Sequence, residues 1–350
     1  MLQDEEGFLY PFAEQNKCTK CGLCEQVCPI RTPLHKEDGQ MRCLGVKVRE
    51  ERVRGQSTSG GLFTLLSDYL ISDKGGVVYG AAFNYHDLMH IEAADKKVRD
   101  SMRDSKYIQS DLKDIFHQVK ARLEDGYSVL FTGTPCQVHG LRLFLGRDYE
   151  RLLCVDNVCN GVPSPGVWHS YFTCLQTEGI ITEFKFRDKR SGWHKSMVSY
   201  RQNGKSHYEA HDENLFTSLY FKGLITRPCC AKCHYSGFDR PGDITMGDFW
   251  GIEKVNPDFD DGRGVSLCIL HNQKARDIFE CVKNQCDYLE CSREDALQPR
   301  LETPPPQSPN REEFFKNYKK GGGQYIAHLM RSGKRGWYFR RVYRRLKTAH

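Results

Sequence analysis

"YSVLFTGTPCQVHGLRLFLG", Tyr127 to Gly146, decides how the rest of the chain is read. Val129 to Phe131 form a short apolar run that ends at Gly133. "TPCQVHGLRLFLG" then turns into a helix that begins near Gln137. A strand that turns directly into a helix is the repeating step of an α/β layer. Cys136 falls near the start of that helix, where free N–H groups and the helix dipole favour a thiolate. Such a turn also lets the backbone approach a phosphate or a flavin closely.

The same alternation extends in both directions. "STSGGLFTLLSDYLISDKGG" follows a polar linker and carries a helical stripe of Leu62, Leu65, Leu66, Tyr69 and Leu70, with Ser57, Thr58 and Ser59 as capping candidates. "VVYGAAF" at 77–83 reads as a buried strand. "SDLKDIFHQVKARLEDG" is a second amphipathic helix, stopped by Gly126. "RLLCVDNVC" is a strand, and "SPGVWHSYFTCL" is a capped helix with Pro165 near its start. "EFKFRD" and "KSMVSYRQNGKSHYEA" read as antiparallel strands, with Asn203-Gly204 as a hairpin turn. "DITMGDFWG" and "VSLCIL" add two more. The expected fold class is α/β with α+β elements. Its core is a mixed sheet, preceded by a small cysteine-rich module and followed by a helical basic tail. The boundaries are residues 1–37 for the module, 45–130 and 131–298 for the two parts of the core, and 299–350 for a proline-rich linker and tail.

The chain has 350 residues, enough for two or three domains. It is 39% hydrophobic and 27% charged, as expected of a water-soluble globular protein. No apolar run reaches the roughly 18 residues of a membrane span, and the acidic start "MLQDEEGFLYP" lacks the features of a signal peptide. A cytoplasmic location is expected. In a reducing compartment, sixteen cysteines point to metal or cluster ligation rather than to disulfides. The net charge of +6 is concentrated at the end of the chain. "RSGKRGWYFRRVYRRLKTAH" holds eight Lys or Arg and no acid. It reads as a solvated terminal helix or as a patch for an anionic partner, with Trp337, Tyr338, Phe339 and Tyr343 between the charges.

Two cysteine sets carry chemistry. Cys18, Cys21, Cys24 and Cys28, followed by Pro29, have the C-x2-C-x2-C-x3-C-P spacing of a bacterial ferredoxin half. Three of them cap three corners of a cubane, and the fourth serves a second cluster in two-cluster ferredoxins. A zinc knuckle is the alternative, although zinc pairs usually lack this four-fold spacing. The second set centres on "RPCCAKCH". Cys230 and Cys233 form a chelating pair, which supplies two corners of a cubane. Cys136 and Cys159, both after strands, are candidates for the other two. Ser59-Gly60-Gly61 opens a helix and presents N–H groups suited to a pyrophosphate. No general acid is visible; His139, His169, His194 and His234 read as ordinary surface or packed histidines.

Several of these blocks occur together and in order: "STSGGLFTLLSDYLISDKGGVVYGAAF", "SKYIQSDL", "VLFTGTPCQVHGLRLFL", "VDNVCNGVPSPGVW", "RPCCAKCHY", "DITMGDFWGI" and "GVSLCIL". Over roughly residues 1–300 the chain resembles the coenzyme F420 hydrogenase/dehydrogenase beta-subunit family, in its bacterial form with a fused ferredoxin module. The resemblance implies an FAD-binding iron–sulfur oxidoreductase with one or two 4Fe-4S clusters. It would pass electrons between a low-potential donor (a ferredoxin-like protein, a deazaflavin or a nicotinamide) and an acceptor that the sequence does not name. It implies Cys136, Cys159, Cys230 and Cys233 as a cluster set, and Ser59, Gly60, Gly61, Lys106, Gln109, Thr134 and Gln137 around FAD. Fused members usually carry a further cysteine half upstream of "DEEGFLYP". Met1 is therefore expected to correspond to an internal position of a two-cluster module, leaving Cys28 or Cys43 to complete the cluster of Cys18, Cys21 and Cys24. A non-catalytic electron-transfer subunit and a zinc-stapled nucleic-acid-binding protein are the alternative functions.

Overall fold

The computed structural model describes residues 1–34 and 41–334. Thirteen strands are found among them: β1 Leu2–Gln3, β2 Leu9–Tyr10, β3 Arg42–Val48, β4 Val77–Asn84, β5 Asp87–Ala93, β6 Val129–Gly133, β7 Leu152–Asn157, β8 Ile181–Asp188, β9 Met197–Gln202, β10 Lys205–Glu209, β11 Ile244–Asp248, β12 Ser266–Leu270 and β13 Cys286–Cys291. Eight of them form one mixed sheet in the order β13-β3-β12-β11-β7-β6-β4-β5. The four central strands, β4, β6, β7 and β11, run parallel, and antiparallel strands flank them on both sides.

The parallel centre explains the continuous apolar runs. Val78, Leu130, Leu153 and Val155 point to one face, where they pack with Leu62, Leu65, Leu66 and Leu70. Their neighbours Val77, Tyr79, Val129, Phe131, Leu152 and Cys154 point to the other face, against Ile115, Val119, Leu123, Val138 and Leu141. Parallel strands covered by helices on both sides bury every residue, so polar alternation is absent.

The helices run Leu62–Asp68, Ile115–Glu124, Pro135–Leu145 and Pro165–Gln176, close to the positions expected from their apolar spacing. The capping expectation at 57–59 does not hold. Gly61 takes the N-cap position with φ +95°, and the Ser59 hydroxyl donates instead to Val265 O at 2.7 Å. Ser57 bonds Val53 O, and Thr58 Oγ1 accepts from Ser105 N. The segment expected as a polar linker contains β3, an interior strand of the sheet, whose Arg42 pairs with Glu290 and whose Lys47 donates to Phe259 O. A second, three-stranded antiparallel sheet, β10-β9-β8, has Asn203 (φ 49°) and Gly204 (φ 78°) at its hairpin turn, as that dipeptide demands.

The sheet β8-β9-β10 belongs to a third apolar cluster built around the helix Pro165–Gln176. Phe8 and the segment Arg311–Lys334, kinked at Gly322, pack on the same helix through Phe314, Phe315, Tyr318, Ile326 and Leu329. Glu6 pairs with Arg311, so both ends of the described chain meet there. The aromatic part of the basic tail, including Trp337, Tyr338, Phe339 and Tyr343, lies outside the described residues, as do residues 35–37 of the N-terminal module. No helix among the described residues is long and apolar enough to cross a membrane.

Two positions fix the sheet's edges to its loops. Asp156 at the end of β7 is fully buried and accepts from Arg240 Nε, Gly242 N and Thr245 Oγ1, each at 2.8 Å. Gly60 lies so close to β3 and β12 that a Cβ would collide with Val46 O and sit 2.6 Å from Ser266 N. Asp156→Asn is expected to cost about 3–5 kcal/mol, because it strands a buried guanidinium, and the drop in unfolding midpoint measures it. Gly60→Ala is expected to cost roughly 1–3 kcal/mol through displaced backbone; an unaltered midpoint would show that the two strands yield freely.

Candidate functional site: a sulfur cluster set beside a deep cavity

β6 and β7 end side by side, and their C-terminal ends deliver Cys136 and Cys159 to the same edge of the sheet. That edge is where open α/β sheets bind ligands. Cys136 is the second residue of the helix Pro135–Leu145, and its Sγ lies 3.2 Å from Thr134 Oγ1.

The loop after β7 runs beside the segment that leads to Cys230 and Cys233. Ser164 N donates to Ile225 O and Arg227 N to Val162 O, both at 2.9 Å. This two-bond ladder places Cys229 and Cys230, on a 3-10 turn at Pro228–Lys232, against the loop that carries Cys159. A Cβ on Gly161 would lie 3.2 Å from Cys230 Cβ. Arg240 then anchors the far side of the loop by donating to Tyr235 O at 2.8 Å and to Asn157 O at 2.5 Å.

The sulfurs lie within electrostatic reach of one another. Burial pushes the Cys159 thiol up to about 12, and Cys136 and Cys233 add to the shift. The Cys136 thiol is raised by desolvation and by Cys233 and Cys229. Cys230 feels Cys229 and Cys159. Cys229 moves the other way, to about 6, because Cys230 donates to it and Arg227 stands nearby. The structure thus brings together all four residues of the expected interior set and adds Cys229 to their surroundings. Such a group of thiols becomes thiolate only if a cation compensates, as iron in a cluster does. Zinc at about 2.3 Å from each sulfur requires sulfurs about 3.8 Å apart. No three of the cysteine sulfurs fall within 4.8 Å of one another among the described residues.

Cys159, Asn160 and Gly161 also line a cavity of about 680 Å³. Ser59, Gly61, Lys106, Thr134 and Gln137 line it too, whereas Gly60 and Gln109 are absent from its walls. Gly60 is the close backbone contact described above. Gln109 exchanges two hydrogen bonds with the Leu9 backbone, each 3.1 Å long. Gln137 is held by Thr134 N and Ser110 Oγ. Lys106 donates to the carbonyls of Met102, Arg103 and Asp104, and burial lowers its pKa to about 8.

Sequence reading missed the cavity's other polar residues. Arg187 pairs with Asp248 and lies 5.3 Å from the Trp250 ring, which stacks on Trp193. Arg187 Nη2 and Arg300 Nη1 are buried and have no partner, as are His90 Nδ1 and His211 Nδ1. Unpaired guanidinium nitrogens in a cavity of this size suit a large anionic ligand. Arg187 and Arg300 lie in unremarkable strand and linker sequence, so spacing gave no signal. Of the four histidines read from the sequence as ordinary, His139 bonds Tyr235, His169 meets Asp87, His194 meets Asp260, and His234 is exposed.

The N-terminal cysteines occupy a surface loop and the short helix Leu23–Gln26. Cys18, Cys21 and Cys24 are exposed. The loop turns through left-handed Lys20 (φ 58°) and Gly22 (φ 74°), which flank Cys21. The Leu23 N–H and the Thr19 hydroxyl lower the Cys21 pKa, as donors around a ligand thiolate do. Tyr235 joins this module to the interior set. Its hydroxyl lies 2.9 Å from Pro29 O and 2.8 Å from His139 Nδ1. The carbonyl only accepts, so the hydroxyl donates to Pro29 and receives the His139 Nδ1 proton. Tyr235 feels the charges of Cys136, Cys233 and Cys28.

Two family models match the chain. Residues 126–296 match the model for the C terminus of the coenzyme F420 hydrogenase/dehydrogenase beta subunit. Residues 13–32 match that of the 4Fe-4S binding domain. No curated protein matches the chain. Among solved structures, a chain of the F420-reducing [NiFe] hydrogenase complex from Methanosarcina barkeri, studied by xenon derivatization, aligns at 13% identity with a TM-score of 0.49, covering 83% of this chain and 91% of that one. Residues 126–296 are thus similar to the C-terminal region of the coenzyme F420 hydrogenase/dehydrogenase beta subunit, and residues 13–32 carry a ferredoxin-type 4Fe-4S motif.

Proposed function

We propose that the protein is an iron–sulfur flavoprotein oxidoreductase of the reducing cytoplasm. The observation that carries this reading is the grouping of Cys136 and Cys159, which follow β6 and β7, with Cys230 on the 3-10 turn at Pro228–Lys232 and Cys233 at its end, beside the cavity that Cys159 lines. In this reading those four residues hold one 4Fe-4S cluster. The cavity holds FAD, with Ser59, Gly61, Lys106, Thr134 and Gln137 in its walls and the free nitrogens of Arg187 and Arg300 toward its phosphates. FAD supplies the exchange between two-electron and one-electron transfer. The protein fixes the distance between the centres and holds Lys106 as a cation in the wall. Cys18, Cys21, Cys24 and Cys28 hold the outer cluster, and the exposure of the first three makes it the docking point for a ferredoxin-like donor. Tyr235 keeps Cys28 close to Cys136 and Cys233.

Anaerobically purified protein is expected to be brown, to contain iron and sulfide in equal amounts, and to release FAD on denaturation. Cys159→Ser is expected to remove about half of the iron if both clusters are assembled, while the N-terminal cluster remains. A colourless protein with stoichiometric zinc and no flavin would overturn the reading.

Tyr235→Phe removes two hydrogen bonds, each worth about 0.5–1.5 kcal/mol. It is expected to loosen residues 17–33 about tenfold, measured as faster tryptic cleavage at Lys17 and Lys20, with the interior iron retained. Unchanged cleavage would show that Tyr235 does not hold the module.

A further inference from the structure

We propose that His86, Asp87 and His169 form a binding site for one divalent cation of the zinc class, which staples the β4–β5 hairpin to the helix Pro165–Gln176. The site is separate from the cavity, whose walls include none of the three. It does not depend on the function proposed above.

His86 and Asp87 lie at the hairpin's turn, just after Tyr85, whose φ of 60° directs the chain around. His169 is on the helix facing it. Asp87 Oδ1 is 2.9 Å from His169 Nε2 and 3.8 Å from His86 Nε2. One ligand atom from each residue lies within 4.8 Å of the other two, and no other set of three His, Cys, Asp or Glu among the described residues meets that test. Bond lengths of about 2.0–2.2 Å in a tetrahedral zinc site put ligand atoms about 3.4 Å apart. The observed separations bracket that value, so small side-chain rotations close the site.

The imidazoles are held in place without an ion. The His86 ring stacks on Phe172 at 5.6 Å, and Tyr85 and His169 meet it edge-on at 4.9 and 5.1 Å. Trp168 Nε1 donates to His86 O at 2.7 Å, which fixes the backbone of the ligand-bearing turn. At 3.8 Å the carboxylate is too distant to hydrogen-bond His86 while it serves His169. A cation at the centre would contact all three.

The donor set decides the class of ion. Calcium takes six to eight oxygen ligands, and magnesium requires an octahedron with several retained waters. Two imidazoles and one carboxylate match zinc, with a fourth position left for water. All three side chains are partly exposed, at 34%, 53% and 42% for His86, Asp87 and His169, so an ion enters without opening the core.

The chain's thiols compete for zinc, so the test must identify the ligand atoms. The full-length protein, purified anaerobically, is given one equivalent of Zn²⁺ and examined by zinc-edge X-ray absorption. The expected result is a nitrogen and oxygen shell at about 2.0–2.1 Å. That shell should disappear in the double variant His86→Gln/His169→Gln, and Asp87→Asn should weaken zinc binding by about tenfold or more. Circular dichroism of each variant should match the parent. A sulfur shell at about 2.3 Å in the parent, no zinc uptake, or an unchanged shell in the double variant would overturn the site.

Discussion

Asp156 and Arg240 are the constraint on which the site depends. The carboxylate sits near the C-terminal end of β7, fully buried, and the guanidinium that meets it is almost as deeply enclosed. A buried ion pair recovers its desolvation cost only when its remaining donors and acceptors are satisfied. Here Gly242 N and Thr245 Oγ1 complete the carboxylate, and the carbonyls of Tyr235 and Asn157 complete the guanidinium. Asp243 repeats the device one step away, accepting from Cys154 N, Arg142 and Asn272. Together they bind the loop that carries Cys230, Cys233 and Tyr235 to the end of the strand that carries Cys159. Packing alone gives a loop no such register.

The surroundings of the interior sulfurs oppose ionisation. Desolvation and neighbouring sulfurs raise Cys136, Cys159 and Cys230. Cys154 and Cys268 are raised as well, yet they face the packed core and have apolar neighbours. A high thiol pKa is therefore no mark of a ligand by itself. Cys268 has Cys286 and Cys43 as sulfur neighbours too; the set around Cys159 differs in having a cavity alongside.

Two residues before the first cysteine, Gly7 and Phe8, are buried in the core. Phe8 is fully buried against Phe315. Gly7 and Gly166 touch so closely that a Cβ on either would meet the other's Cα within 2.7 Å. The helix Pro165–Gln176 thus receives chain from both ends of the described sequence, and this anchors the surface cysteine loop that follows Tyr10.

The sequence by itself determined the strand-to-helix steps, because a parallel strand buried on both faces must be apolar throughout and a capped helix must repeat every 3.6 residues. It also determined the two cysteine motifs, since ligand spacing within one loop is a local property. It failed at β3, whose "RCLGVKV" lies among polar residues, and at β5 and β13, flanking strands with polar alternation. Burial of β3 comes from β12 and β13, which lie more than 200 residues away. Only the tertiary structure decided that Cys136, Cys159, Cys230 and Cys233 share one place, that Gln109 serves the Leu9 backbone, and that Arg187 and Arg300 reach the cavity. Those facts rest on contacts between distant segments, and spacing along the chain encodes none of them.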